Sequence, residues 1–242
     1  MTKDHAIAFK DELEVFRKEE QTAQQMFFAW LSVRTIAASN ADVLRMLNKT
    51  PLFWINAQHS MLVTAFVALG RIFDQDSKHN VDRLMAVVSQ DLSIFSIDAL
   101  RARKEADGIG VEDAARYVVG KHALTSNDVR ALRRQIDVRR RIYEERYRDI
   151  RHKVFAHKAT DDVAEIDAMF AKTNIEEMKS VFGFLHALHD SLWEQFHNGR
   201  RPNVKPYKFT VPPDPSTRDN SLSPGELIFR QGQAALISML ST

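Results

Sequence analysis

Apolar side chains recur along most of this chain at alternating steps of three and four residues. Ile55, His59, Leu62, Phe66, Leu69 and Phe73 form one series, and Leu132, Ile136, Tyr143, Tyr147, Ile150 and Val154 form another. Met178, Phe182, Leu185, His189, Leu192 and Phe196 form a third. This spacing lays a narrow apolar stripe along one helix face, the pattern by which helices pack into bundles. An earlier helix, roughly residues 6–37, carries Leu13, Phe16, Ala23, Phe27 and Trp30 on a similar stripe. His59 and His189 fall within stripes and are expected as buried, hydrogen-bonded core residues. Phe27, Phe28 and Trp30 likewise read as core rather than as a platform for stacking bases.

Polar punctuation supports the same spans. Ser126 is placed to cap a helix beginning at Asn127, Thr173 with Glu176 has the capping-box pattern, and Asn40 and Asn80 cap two shorter helices. Between Asp74 and Thr125, short helices are predicted near 81–90, 97–107 and 111–122. Six of the seven prolines lie between Pro202 and Pro224, so residues 201–222 should form an extended arm. Ser223-Pro224-Gly225-Glu226 then offers a cap, a proline in the first turn and a capping-box acid. The helix it opens, over 223–242, must bury its stripe against the body or a neighbouring subunit. The expectation is all-α: a four-helix bundle over residues 1–200 with an inserted helical excursion, then the arm, then the C-terminal helix.

Composition narrows the function classes. With 44% apolar residues the 242-residue chain can bury a proper core, and with no cysteine it can form neither disulfides nor thiolate zinc sites. The opening MTKDHAIAFKDELE lacks the apolar core of a signal peptide. The most apolar window, MLVTAFVALG, is about half the length needed to span a bilayer. A cytoplasmic protein with no membrane partner is expected. Net charge is only +2, but between Lys121 and Lys158 there are 12 Lys/Arg against 5 Asp/Glu. One basic element on a near-neutral body suits a phosphate backbone; it is also what an ordinary exposed helix face looks like.

That basic segment ends in RDIRHKVFAHK, which places Arg151-His152-x4-His157 within seven residues. These groups suit RNA strand cleavage without metal or other cofactor. An imidazole near neutral pKa can take the proton of a ribose 2′-OH or protonate the leaving 5′-oxygen. A guanidinium can hold the phosphate and offset its developing charge. On a wheel of 100° per residue Arg151 and His157 lie about 120° apart, on either side of the apolar stripe. One straight helix cannot bring them together, so the helix must end or bend near Val154, or a second copy must complete the site.

An all-helical bundle with arginine, a polar residue, four residues and a histidine near the end of a long late helix resembles the HEPN superfamily. Arg151, His152 and His157 match that motif in full. The stretch ALGRIFD (Ala68 to Asp74) and the stretch HKVFAHK resemble its AbiU-like abortive-infection branch, over roughly residues 10–200. The resemblance implies a metal-independent ribonuclease or RNA-binding relative, commonly a homodimer, in phage defence or a toxin–antitoxin system with a cognate antitoxin. It implies His157 as acid/base, Arg151 as phosphate stabiliser and His152 as a polar assistant. Arg140, Arg141, Arg148, Lys153 and Lys158 are the candidate nucleic-acid contacts around them. Ala159 stands where some relatives carry a modifiable tyrosine, which does not support that form of control. A non-catalytic HEPN module that binds RNA or a protein is the alternative.

Overall fold

In the computed structural model, which describes residues 2–156, 163–211 and 221–240, the predicted stripes lie on four long helices, except that Tyr147, Ile150 and Val154 fall beyond the end of the third. These are α1 (Thr2–Ser39), α3 (Pro51–Phe73), α7 (Ser126–Arg146) and α9 (Ile175–Asn198), with the short α2 (Ala41–Leu47) after α1. The excursion between α3 and α7 comprises α4 (Val81–Gln90), a 3-10 turn (Leu92–Phe95), α5 (Ile97–Ala106) and α6 (Val111–Tyr117). After α7 come a π-helical segment (Ile150–Ala156) and α8 (Val163–Ala171), and the chain closes on α10 (Pro224–Ser238). Among the described residues there is no strand, and the architecture is all-α and HEPN-like.

The capping chemistry explains where helices start. Asn40, in extended conformation, accepts from the amides of Asp42 and Val43 and so opens α2. Asn80 accepts from Arg83 N at 2.8 Å, while its amide donates to the carbonyls of Asp74, Gln75 and Ser77. One buried side chain thus shapes both the preceding turn and the start of α4. Two predicted caps fall one residue away. Helix α7 is opened by Thr125, whose hydroxyl and amide both bond Asp128, and not by Ser126. Helix α9 is opened by Asn174, which accepts from the amides of Glu176 and Glu177; the Thr173 hydroxyl turns back to Phe170 O instead. In each case the side chain that can close a ring on the first free amides wins over its neighbour.

The chain divides into two compact units, and α1, α3, α7 and α9 each contribute residues to both. The first unit comprises Met1–Lys18, Arg71–Glu145 and Gly183–Tyr207. Its centre is aromatic: Phe9 packs on Phe95 and Phe196 at 5.0 Å each, and Phe73 stacks on Tyr143 at 5.3 Å. Arg103 lies 4.0 Å over the Phe196 ring and donates to Phe196 O and Ile94 O. Burial lowers its pKa to about 10, so it remains charged at neutral pH and serves carbonyls at the end of α9.

The second unit comprises Glu19–Gly70, Arg146–Phe182 and Lys208–Thr242. Here the C-terminal helix finds its cover. Leu236 packs with Val33, Ile36, Val43 and Leu47, and Gly225 N donates to Gln24 Oε1 at 2.6 Å. A methyl at Gly225 would meet Phe28 at 2.4 Å and one at Gly232 would meet Ser32 at 2.5 Å. Two glycines seven residues apart therefore let α10 approach α1 closely. The capping box forms as the sequence predicts, and Glu226 Oε1 also accepts from Thr210 N at 2.6 Å, tying the end of the arm to the helix start.

The sequence reading understated α3. No charged residue occurs from Pro51 to Gly70, and by length and composition this helix could cross a membrane. Only 22% of its most apolar window is buried, so much of its apolar surface faces outward. Leu52, Phe53 and Ile55 are 72%, 64% and 63% exposed, whereas Phe66, Leu69, Ile72 and Phe73 enter the core. His59, expected in the core, is exposed and only touches Phe155 edge-on, because the buried part of the stripe begins later in the helix. His189 is largely buried and bonded to Asp190, as expected.

Candidate functional site around Arg151

The site is built where regular helix fails. Helix α7 ends at Arg146, Tyr147 occupies a turn, and Ile150–Ala156 is π-helical. The departure from a straight helix expected near Val154 thus starts earlier and encloses that residue. A π turn, with its i→i+5 hydrogen bonds, is wider than an α turn and redirects the side chains that follow, and here the half-buried Phe155 reaches the rings of the neighbouring helices. Phe155 packs on Phe66 at 5.2 Å, Phe170 at 6.2 Å and His59 at 5.6 Å, so it joins the aromatic cluster that the three–four stripe had led to Val154. Such single-turn irregularities cluster at functional sites, because they aim side chains that an α-helix would direct elsewhere.

The entrance to this segment is firmly held. Tyr147 is 1% exposed, packs on Phe66 at 5.9 Å, and donates toward Glu177 Oε1 (3.0 Å) and Asn174 O (3.3 Å). Burial foremost, with the charge of Glu177, pushes its pKa well above the ordinary phenol range, so Tyr147 stays a donor at all relevant pH. Arg146 reaches Lys172 O and pairs with Glu177 at 3.3 Å. These bonds fix the residues immediately before the motif to the start of α9.

Arg151 is half-buried and lies against the backbone of α3 at Gly70. A methyl group on residue 70 would stand 2.3 Å from Arg151 Nε and 2.6 Å from its Cδ and Cζ. Only glycine leaves that space. Arg151 Nη1 lies 3.1 Å from His152 Nε2. A guanidinium can only donate, so His152 must accept through Nε2 and carry its proton on Nδ1. His157 and Lys158 lie outside the described residues, as does Ala159.

The remaining predicted contacts divide by how their charge is used. Arg140 pairs with Asp82 at 2.5 Å and Asp137 at 3.3 Å, with its side chain only 11% exposed, so its charge is already compensated within the protein. Lys153 donates to Glu165 at 3.2 Å and lies 3.6 Å from Asp149; its hydrogen bond to Glu165 and the charge of Asp149 raise its pKa. Arg141 and Arg148 are exposed. Sequence reasoning did not find Gly70 or the Tyr147–Glu177 anchor. A signal for Gly70 was available: a glycine inside an apolar helix costs about 1 kcal/mol relative to alanine and so asks for a reason.

Residues 7–212 match the family model of AbiU2, a HEPN family. The chain belongs to that family. No curated protein and no solved structure matches it. The match covers the four long helices, the excursion and the Arg151–His152 segment, and it stops before α10. The HEPN AbiU2 assignment agrees with the resemblance carried by the Arg151-His152 motif, ALGRIFD and HKVFAHK; Gly70 of ALGRIFD and Arg151 of the motif meet in space.

Proposed function

We propose that this HEPN protein is a metal-independent endoribonuclease acting in phage defence or as a toxin. The observation that carries the reading is the arrangement of Arg151: it lies in a π-helical turn, Gly70 gives it room, and His152 bonds it. In the proposed reaction the ribose O2′ attacks phosphorus as His157 takes its proton. The P–O5′ bond breaks, the O5′ leaves with a proton from a second acid, and a 2′,3′-cyclic phosphate remains. Arg151 offsets the charge gathering on the phosphoryl oxygens. The second acid is His157 of a second copy, seated on the uncharged, exposed first half of α3 at Leu52, Phe53 and Ile55.

The test is cleavage of RNA by the purified protein in EDTA, with cyclic phosphate ends, and its loss in His157→Ala with the fold and oligomeric state retained. Undiminished cleavage by His157→Ala sinks the reading. A second reading, a non-catalytic module that binds a protein partner, is favoured by the same exposed face of α3. It requires that Phe53→Glu abolish partner binding in a protein that never turns RNA over.

A further inference from the structure

The second unit holds a cavity of about 430 Å³ walled largely by aromatic and aliphatic side chains, among them Trp30, Leu62, Phe66, Tyr147 and Phe170. Close-packed interiors leave few gaps larger than a water molecule, whereas sites for small ligands occupy about 300–1,000 Å³. Its size lies within the range of ligand sites, and it opens to solvent. Its walls are mainly apolar, and Arg34, exposed and 5.3 Å over the Trp30 ring, supplies the one formal charge among the described residues that line it. An occupant with a flat, apolar body and a neighbouring negative charge matches both features.

Its position relative to Arg151 follows from two helical turns. Phe66 and Tyr147, which pack on each other, both line the cavity. Gly70 lies four residues after Phe66 in α3, and Arg151 lies four residues after Tyr147, with Arg151 N bonded to Tyr147 O at 3.1 Å. The contact between Gly70 and Arg151 therefore sits about one turn along both segments from the contact between Phe66 and Tyr147. A phosphate on Arg151 would have the cavity one turn away along both segments.

We propose that this cavity is a base-binding pocket. It takes one unstacked nucleobase of the RNA strand whose adjacent phosphate is held by Arg151, and the half-buried Trp30 provides the flat face against which the ring rests. The proposal rests on the ribonuclease reading for its substrate, and on the cavity alone for its chemistry. The pocket recognises a planar heteroaromatic ring, which RNA or a free nucleotide can supply. Trp30, which the stripe along α1 assigns to the core, is then a wall of the site.

The test uses the full-length protein and a short RNA that it cleaves, compared with versions made abasic at each position around the cut in turn. Leu62→Trp, which fills the cavity from α3, is the variant; its melting temperature shows that it folds. Expected is that loss of the base at one position lowers cleavage by about tenfold or more in the wild type, and that Leu62→Trp cleaves the intact RNA as poorly as that abasic RNA. Equal wild-type cleavage of intact and abasic RNAs overturns the pocket while the ribonuclease reading stands. If no RNA is cleaved but AMP or UMP binds by calorimetry and Leu62→Trp abolishes that binding, the ribonuclease reading fails and the ring site survives. Binding of neither RNA nor nucleotide removes both. A Leu62→Trp effect confined to self-association also overturns the proposal, because a second copy then fills the cavity.

Discussion

The segments opening at Ser223 and at Arg148 lie in the same compact unit and follow opposite rules. Around Ser223 every local preference agrees: the cap, the proline in the first turn, the capping-box carboxylate and two glycines at the close approach to α1. Its acid is 1% exposed, yet all of its described bonds serve backbone or side-chain donors of the chain itself. Around Arg148 the preferences conflict. The helix loses α spacing, an arginine folds onto a glycine backbone, and a histidine is held as an acceptor. Agreement across levels is the pattern of a segment that serves stability; a conflict kept in place by its neighbours is the pattern on which the proposed chemical role of Arg151 rests.

That contrast is open to direct attack. The largest expected effect is from Arg151→Ala, which should lower RNA cleavage by about a hundredfold or more while leaving the melting temperature almost unchanged. Cleavage that survives this substitution would erase the distinction between the two segments. Gly70→Ala is the sharper experiment, because stability and activity should move in opposite directions. Alanine gains about 1 kcal/mol of helix propensity, and the obstructing atoms belong to a flexible side chain that can swing aside. Displacing Arg151 by an ångström or so should still cost about a hundredfold in turnover, read as kcat with KM little changed.

Glu226→Ala tests the other side. It strands the amides of Ser223 and Thr210, so unfolding free energy should fall by about 1–3 kcal/mol with specific activity of the folded fraction intact. The smallest effect belongs to the cap of α7. Partial burial opposes ionisation of Asp128, but its bonds from Thr125 and His122 outweigh this and hold its pKa below the usual carboxylate range. A lowered pKa means stability that is present above the unfolded value of about 3.9 and lost as pH falls through the folded one. Asp128→Asn should therefore lower stability at neutral pH by about 1 kcal/mol, and the gap from the wild type should close in acid.

Much of this protein is determined by local sequence. The four long helices, the excursion, the Asn40 and Asn80 caps and the capping box at Ser223 follow from side-chain period and hydrogen-bonding reach within a few residues. The motif at Arg151 and His152 and its family were legible for the same reason, since they are contiguous in the chain. What the sequence could not decide depends on partners far away in the chain. That His59 is exposed, that Phe155 joins an aromatic cluster, and that Arg151 lies against residue 70 are settled by rings and backbone brought together across 80 residues or more. Periodicity reports which face of a helix is apolar, but only packing chooses how far along that face burial extends and where an extra residue must be absorbed.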